Sequence, residues 1–418
     1  MMLRTMSSPP VADASTPRTY SQILAVPEFR AIFAAQLIAT LGNVVSQITL
    51  SVLVYQRTGS PLLSSLTFAL GFAPYLLGAG LVSAVADRYP SRRVLVTCEV
   101  LSCVLVAVMA VPGTPIIVLL ALLVVLGTLA PVFQGTRAAS LPEILTGSEY
   151  ALGRSLLRMV SQSTQIVGFG LGGVLLLVVS PTLALLIASA GFATSALLLR
   201  FGTRLRPARL ADGDHDKDKS IARASLSSVR QVFAVPGLRP LLLMTWLPPM
   251  FAVAPEALAA PYASQFGDHS SAAVGLLLCA APLGSVVGEA LAGTFLPPAV
   301  RVRFVTPVAM IMFVPMFAFV FQPGPAAAVA ALFVCGFGFT YAMGLDQRVL
   351  DVTPERLRGR ALTVTMAGLM VGQGIGFAAA GAAAEFLPAH VVIVAAGVLG
   401  LVAVLLCGSA AARTRRTA

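Results

Sequence analysis

Four acidic residues interrupt long apolar runs of this chain: Glu99, Glu256, Glu289 and Glu385. A carboxyl in apolar surroundings is costly when ionised, so it pairs with a cation or exchanges a proton. Proton exchange is the chemistry such residues offer. Glu256 stands in "TWLPPMFAVAPEALAAPY", behind Pro248, Pro249 and Pro255. Prolines break a helix and free backbone carbonyls, which suits an element lining a cavity. Glu289, in "GSVVGEALAG", is also deep, and the two are the proton-coupling candidates in that order. Glu99 and Glu385 stand near the ends of their runs, where a long side chain reaches the interface.

A polar stripe is the second feature. Gln36, Thr40, Asn43 and Gln47 recur at intervals of four, three and four residues, so they share one helix face. Such a face cannot meet lipid: it lines a cavity or hydrogen-bonds to neighbouring helices. Asn43 cannot carry a proton. Trp246, the only tryptophan, either stacks on an aromatic or cationic substrate or anchors its helix at the interface.

The elements that must hold these residues follow from composition. The chain is 57% hydrophobic and 11% charged, against about 25% charged in soluble domains. It is solvated by lipid. The five cysteines, Cys98, Cys103, Cys279, Cys335 and Cys407, all lie in apolar runs without paired spacing, which suggests neither disulfides nor a metal site. Asp212, Asp214 and Asp216 alternate like the start of a calcium loop, but Lys217 and Arg223 occupy its Gly and Glu positions. No phosphate-binding loop, zinc-binding helix or nucleophile elbow is present. The expectation is a protein that is not an enzyme and has no cofactor and no metal.

A helix needs about 20 apolar residues to cross a bilayer. Runs of that length fall at 31–54, 62–85, 94–112, 115–136, 156–179, 181–200, 240–262, 272–295, 304–322, 325–345, 361–386 and 390–410. With twelve spans, 27 of the 28 Lys and Arg lie on one side, and only Arg57 on the other. Cytoplasmic loops collect such cations, so both termini and the central loop are expected inside. The parts are then a polar tail over 1–30, a six-helix half over 31–200, a cytoplasmic loop over 201–239, a second half over 240–410 and a tail over 411–418. Within the loop, "RLADGDHDKDKS" reads as a solvated linker. "SIARASLSSVRQVF" could lie as an amphipathic helix on the inner membrane face.

Phrases recur half a chain apart. "AVPEFR" at Ala25 returns as "AVPGLR" at Ala234, and Arg92 has its counterpart in Arg301, both 209 residues on. "QIVGFGLGG" at Gln165 returns as "QGIGFAAAG" at Gln373, 208 residues on. Each half has an even number of spans, so both start from the same side, as in parallel transporter repeats. Glu256 is the counterpart of Gln47. Arg137, in "PVFQGTRAAS", and Asp346, in "YAMGLDQRVL", are counterparts of opposite charge. Either they face each other as an inner gate, or each anchors its own helix end. The glycines Gly168, Gly172, Gly173, Gly376 and Gly381 mark close packing on the fifth and eleventh helices.

Twelve spans in two parallel halves with a basic central loop resemble the major facilitator superfamily. The sharpest match is "SAVADRYPSRRVLV", against that family's G-x-L-A-D-R-x-G-R-K-x-x-L between its second and third helices. Asp87, Arg88, Arg92 and Leu95 fall on its positions and Arg93 is adjacent, while Ser83, Pro90 and Ser91 depart from it. The wording "EFRAIFAAQLIATLGN…VLVYQRTGSP" resembles the bacterial branch of drug and siderophore exporters. "GFGLGG", from Gly168, resembles the antiporter G-P-x-x-G-G with Phe in place of Pro; simple close packing explains the glycines equally well. The resemblance implies an all-α membrane protein of the bacterial cytoplasmic membrane, with helices 1, 4, 7 and 10 around a central cavity. It also implies proton-coupled export of a small amphipathic molecule by a monomer that binds no nucleic acid. Proton-coupled import of a metabolite is the near alternative, and a membrane sensor or scaffold the distant one.

Overall fold

A computed structural model describes residues 20–72, 89–145, 148–206 and 231–417. The helices run in chain order as α1 (Pro27–Thr58), α2 (Pro61–Phe72), α3 (Ser91–Met109), α4 (Ile116–Ser140), α5 (Ser148–Val178) and α6 (Pro181–Gly202). The second half continues with α7 (Leu238–Ala252, then the short pieces Ala254–Ala257 and Ala259–Ala263) and α8 (Ser270–Phe295). After these come α9 (Val305–Ile311 and the 3₁₀ segment Val314–Phe321), α10 (Pro325–Gly338 and Tyr341–Val352), α11 (Arg358–Ala384) and α12 (Ala389–Thr417). Among the described residues, nine helices are long and apolar enough to cross a membrane. The other places are held by α2, by α3 with its Arg92, Arg93 and Glu99, and by the shorter Val305–Phe321, an arrangement consistent with twelve.

Local chemistry sets the helix ends. Pro27 opens α1, where its missing N–H is no loss. Gly59 closes α1 at φ 65°, its N–H donating to Tyr55 O at 2.8 Å. Ser180 caps α6 by accepting from Leu183 N. At the start of the second half, Gly237 takes φ 79° where the first half has Glu28. Several helices outrun their apolar stretches. α5 starts eight residues before its run at 156, and α12 continues through Arg413, Arg415 and Arg416 into what hydropathy reads as a tail. A helix of 32 residues, the length of α1, is about 48 Å long, against a hydrocarbon core of about 30 Å, so its ends reach the head groups. The linker read at 209–220 lies outside the described residues, as do the second helix beyond Phe72 and most of the amphipathic segment.

One end of the bundle gathers the arginine-rich connections, and the other, the distal end, carries the turn at Gly59. At the basic end, Phe29, Ile32, Leu95, Leu141, Leu157 and Leu199 form a core drawn from the first half. There Glu28 accepts both NH1 (2.5 Å) and NH2 (2.8 Å) of Arg206, tying the start of α1 to the chain after α6. The core of the second half instead reaches across to Val44, Ile48, Val52, Phe68 and Phe169 of the first. The halves therefore meet toward the distal end, along α5 with α8 and α2 with α11.

Lipid gives helices no hydrophobic reason to associate, so small residues that let backbones approach carry the contact. Gly173 of α5 faces Gly275 of α8, where a methyl on Gly275 would stand 2.5 Å from the Gly173 Cα. By the repeat, Gly381 of α11 faces Ser65 and Leu62 of α2. Phe377 stacks on Phe68 and Phe72 of α2, with centroids 5.3 and 5.6 Å apart. Overpacking a site of this kind costs about 1–3 kcal/mol. Gly275→Val should therefore separate the distal ends of α5 and α8, read as a longer spin-label distance in the reconstituted protein. An unchanged distance would mean that this contact does not set the closure.

Candidate functional site

The polar stripe of α1 faces a pocket between α1, α3, α4 and α6. Gln36, Thr40 and Asn43 line it, with Glu99 of α3 and Gln134 of α4 opposite. Gln36 is buried and Asn43 exposed, so the stripe runs from packed interior to open space. Gln36 Nε2 donates to Thr40 Oγ1 at 2.9 Å and to Ser161 Oγ of α5 at 3.2 Å. Its Oε1 accepts from Arg137, which also donates to Gln134. The stripe thus lines a pocket and bonds between helices at once. Gln47 is half-buried and takes no part in this lining.

Glu99 corrects the reading of a side chain that reaches the interface. It is only 4% exposed, and its Oε2 is buried with no hydrogen-bond partner. Helical phase explains this. Val100, Val104 and Val108 are the exposed face of α3, and at about 100° per residue Glu99 points away from them.

In the second half, Glu256 lies in the short piece Ala254–Ala257, beyond the irregular residue Val253 of α7. It lines a cavity with Gln373 of α11, Met312 of α9, and Cys335 and Phe339 of α10. Glu289 is half-buried elsewhere on α8, where Ser285 Oγ donates to it at 3.5 Å. The two candidates therefore do not share one cavity lining. Trp246 packs within the second half. Its indole N–H donates to Thr365 O at 2.9 Å, its ring rests where Gly368 has no side chain, and Phe233 packs on it at 5.9 Å. These contacts join α7 to α11 through the half-buried ring.

The charged residues of the loop signature divide. Asp87 and Arg88 lie outside the described residues. Arg92 donates to Arg200 O at the end of α6, and its counterpart Arg301 donates to Leu296 O (2.8 Å) and Gly293 O (2.9 Å) at the end of α8. Both satisfy carbonyls that a helix terminus leaves open. Arg93 is exposed. Of the gate residues, Arg137 is engaged with Gln36 and Gln134, and Asp346 is exposed on the last turns of α10. Gly168 and Gly172 pack on Val44 and Ile48 of α1, and Gly376 packs on Met250 of α7. Among the described residues, no group of three His, Cys, Asp or Glu could hold a metal.

The sequence profile of the Major Facilitator Superfamily matches residues 32–350. The chain belongs to this superfamily. Over 394 residues it is 27% identical to the multidrug efflux pump Tap of Mycolicibacterium fortuitum, covering 90% of this chain and 94% of that protein. Its fold is similar to the crystal structure of the nucleoside transporter NupG, with a TM-score of 0.69 at 13% identity over 92% of this chain and 98% of that one. It is also similar to a bacterial homologue of the human lysosomal transporter Spinster, in an inward-facing and occupied conformation. The TM-score there is 0.66 at 15% identity, over 97% of this chain and 98% of that one. Identities this low establish the fold alone. The chain is a multi-pass membrane transporter of small molecules, not an enzyme.

At the distal end of the transporter a contact unsignalled by sequence joins the halves. Glu385, just after α11, accepts from Ser60 Oγ and from Leu62 N at 3.0 Å, at the start of α2. The carboxylate also meets the positive end of that helix. The Ser60 hydroxyl, then the Leu62 amide, hold the Glu385 carboxyl below its ordinary value, outweighing burial. A contact that depresses a carboxyl is fully present above the ordinary carboxylate range, about pH 4, and is lost as pH falls through the depressed value. Acidifying the distal side below that range should lengthen spin-label distances between α2 and α11. Glu385→Gln should lengthen them at neutral pH and remove the pH response; a response kept in that variant would assign it to another group.

Proposed function

We propose that this transporter exports a small amphipathic molecule from the cytoplasm in exchange for protons. The observation that carries the reading is similarity along nearly the whole chain to a multidrug efflux pump. The basic end is the cytoplasmic one, because cations resist translocation. Both termini then lie inside a bacterial cytoplasmic membrane. With the halves joined at the distal end, the described conformation opens to the cytoplasm. Substrate enters there and leaves after the halves rock about the central site.

In this reading Glu256 exchanges the coupling proton and Glu289 is the second candidate. Arg137 and Asp346 close the inner mouth in the opposite state, and a single chain does the work. Tags on both termini should stay inaccessible to reagents outside intact cells; an external C-terminus would overturn the orientation.

Export is tested with everted membrane vesicles and ethidium, an aromatic cation. Energised vesicles should accumulate the dye and lose it when an uncoupler is added. Glu256→Gln should keep its membrane level but lower the proton-driven rate about tenfold or more, equivalent to about 1.4 kcal/mol of barrier. Wild-type pH dependence in that variant would transfer the role to Glu289 or elsewhere. Asp346→Arg should leave the inner mouth more open to a thiol probe, and adding Arg137→Asp should restore closure. A double variant no more closed than the single would remove the gate. Proton-driven movement of solutes in the opposite direction would favour import.

A further inference from the structure

The pocket of the first half holds an acid with no assigned role. Glu99 is the ninth residue of α3, so it lies about 12 Å along the helix from its start. It lines the pocket together with Gln36, Thr40, Asn43, Gln134 and Phe192. Its side chain is 96% buried, and Oε2 has no partner. Ser195 of α6 is beside it, yet that hydroxyl donates to Ala35 O at 3.2 Å.

The groups packed around it decide its state. On its own helix the titratable neighbours are Cys98 and, one turn on, Cys103, whose Sγ lies 3.3 Å from Ser189 Oγ. α1 presents Gln36, Thr40 and Asn43, and α6 presents Ser195 and Phe192, all uncharged. α4 presents Gln134 and, beyond the pocket lining, Arg137, whose guanidinium is bound to Gln36 and Gln134. None of these places a cation on the bare oxygen. A carboxylate buried with one oxygen unsatisfied loses its hydration and regains little. The ionised form is therefore disfavoured here, and the smallest species that removes its charge is a proton.

We propose that Glu99 is a proton-binding site of the first half, loaded through the pocket that the α1 stripe lines, and separate from Glu256. The step is a single proton transfer. Oε2 of the carboxylate forms an O–H bond with a proton from hydronium in the pocket, the side chain goes from −1 to neutral, and water remains. The stripe gives the proton its path, from exposed Asn43 toward buried Gln36. The role in transport rests on the proton-coupled reading above; the protonation itself does not.

The test is infrared difference spectroscopy on the full chain in lipid, between neutral and alkaline pH and in normal and heavy water. The wild type should show the carbonyl stretch of a protonated carboxylic acid, shifted by deuterium. Glu99→Gln should lose that band, Glu99→Asp should restore one at a shifted position, and Glu256→Gln should retain it. Identical carboxylic-acid bands in the wild type and Glu99→Gln would overturn the proposal. So would the absence of a band in Glu99→Asp that elutes as a folded protein. If the band behaves as expected but ethidium movement ignores the proton gradient, the export reading fails and the site stands.

Discussion

Lipid offers no hydrogen bonds, and this constraint arranges the transporter. Every polar group between the head groups must find its partner within the protein, on its own helix, on another or in an internal cavity. That is why Gln36 bridges Thr40, Ser161 and Arg137, and why Ser51 and Ser64 pair across the turn joining α1 to α2 at 3.0 Å. It is also why the helices meet through residues with little or no side chain. Where water cannot drive association, contact comes from proximity, and proximity needs glycine at Gly173, Gly275 and Gly381.

The repeat shows how one plan is used twice with different parts. Gly173 and Gly381 occupy corresponding places and both touch the opposite half, one on α8 and the other on α2. Arg92 and Arg301 both cap helix ends, but Arg92 reaches across to α6 whereas Arg301 serves the end of α8, just before it in the chain. Glu28 and Gly237 also correspond, and here the plan diverges. The first half uses its position for a paired carboxylate, whereas the second uses the conformational freedom of glycine. Backbone geometry is shared, and side-chain chemistry is divided.

The spans were legible because hydropathy needs no partner to be read, and the halves were legible because a repeat is a property of the string. What escaped depends on which helix faces which. Trp246 gave no local sign that Gly368, more than a hundred residues away, leaves a place for its ring. Glu385 carried no hint of Ser60 and Leu62, more than three hundred residues before it. Glu99 is different, since its burial was within reach of the sequence. Distance from the end of the run suggested the interface, whereas the phase of Val100, Val104 and Val108 placed it inward. For an acid in a short helix, phase outranks depth.

The two ends of the bundle are held by different forces, and the difference suits the rocking of the halves proposed above. At the distal end the seal is mostly glycine contact and stacked phenylalanines. Separating such surfaces orphans few hydrogen bonds, so the barrier stays low. Glu385, the polar member of that seal, is exposed and regains water when released. At the basic end the polar links of Glu28, Arg92, Arg206 and Arg301 run within a half, so they survive any movement between halves. Strong directional bonds keep each half rigid, and weak adaptable contacts let the two halves part. The buried acids belong to neither set: Glu99 and Glu256 each face a cavity inside their own half. A change of charge there acts on the packing of α1 or α7, helices that reach the seam itself, through Val44 and Ile48 in one and the piece Ala259–Ala263 in the other. A proton bound as proposed at either acid would lie behind the seam and would bias its closure without touching the seal.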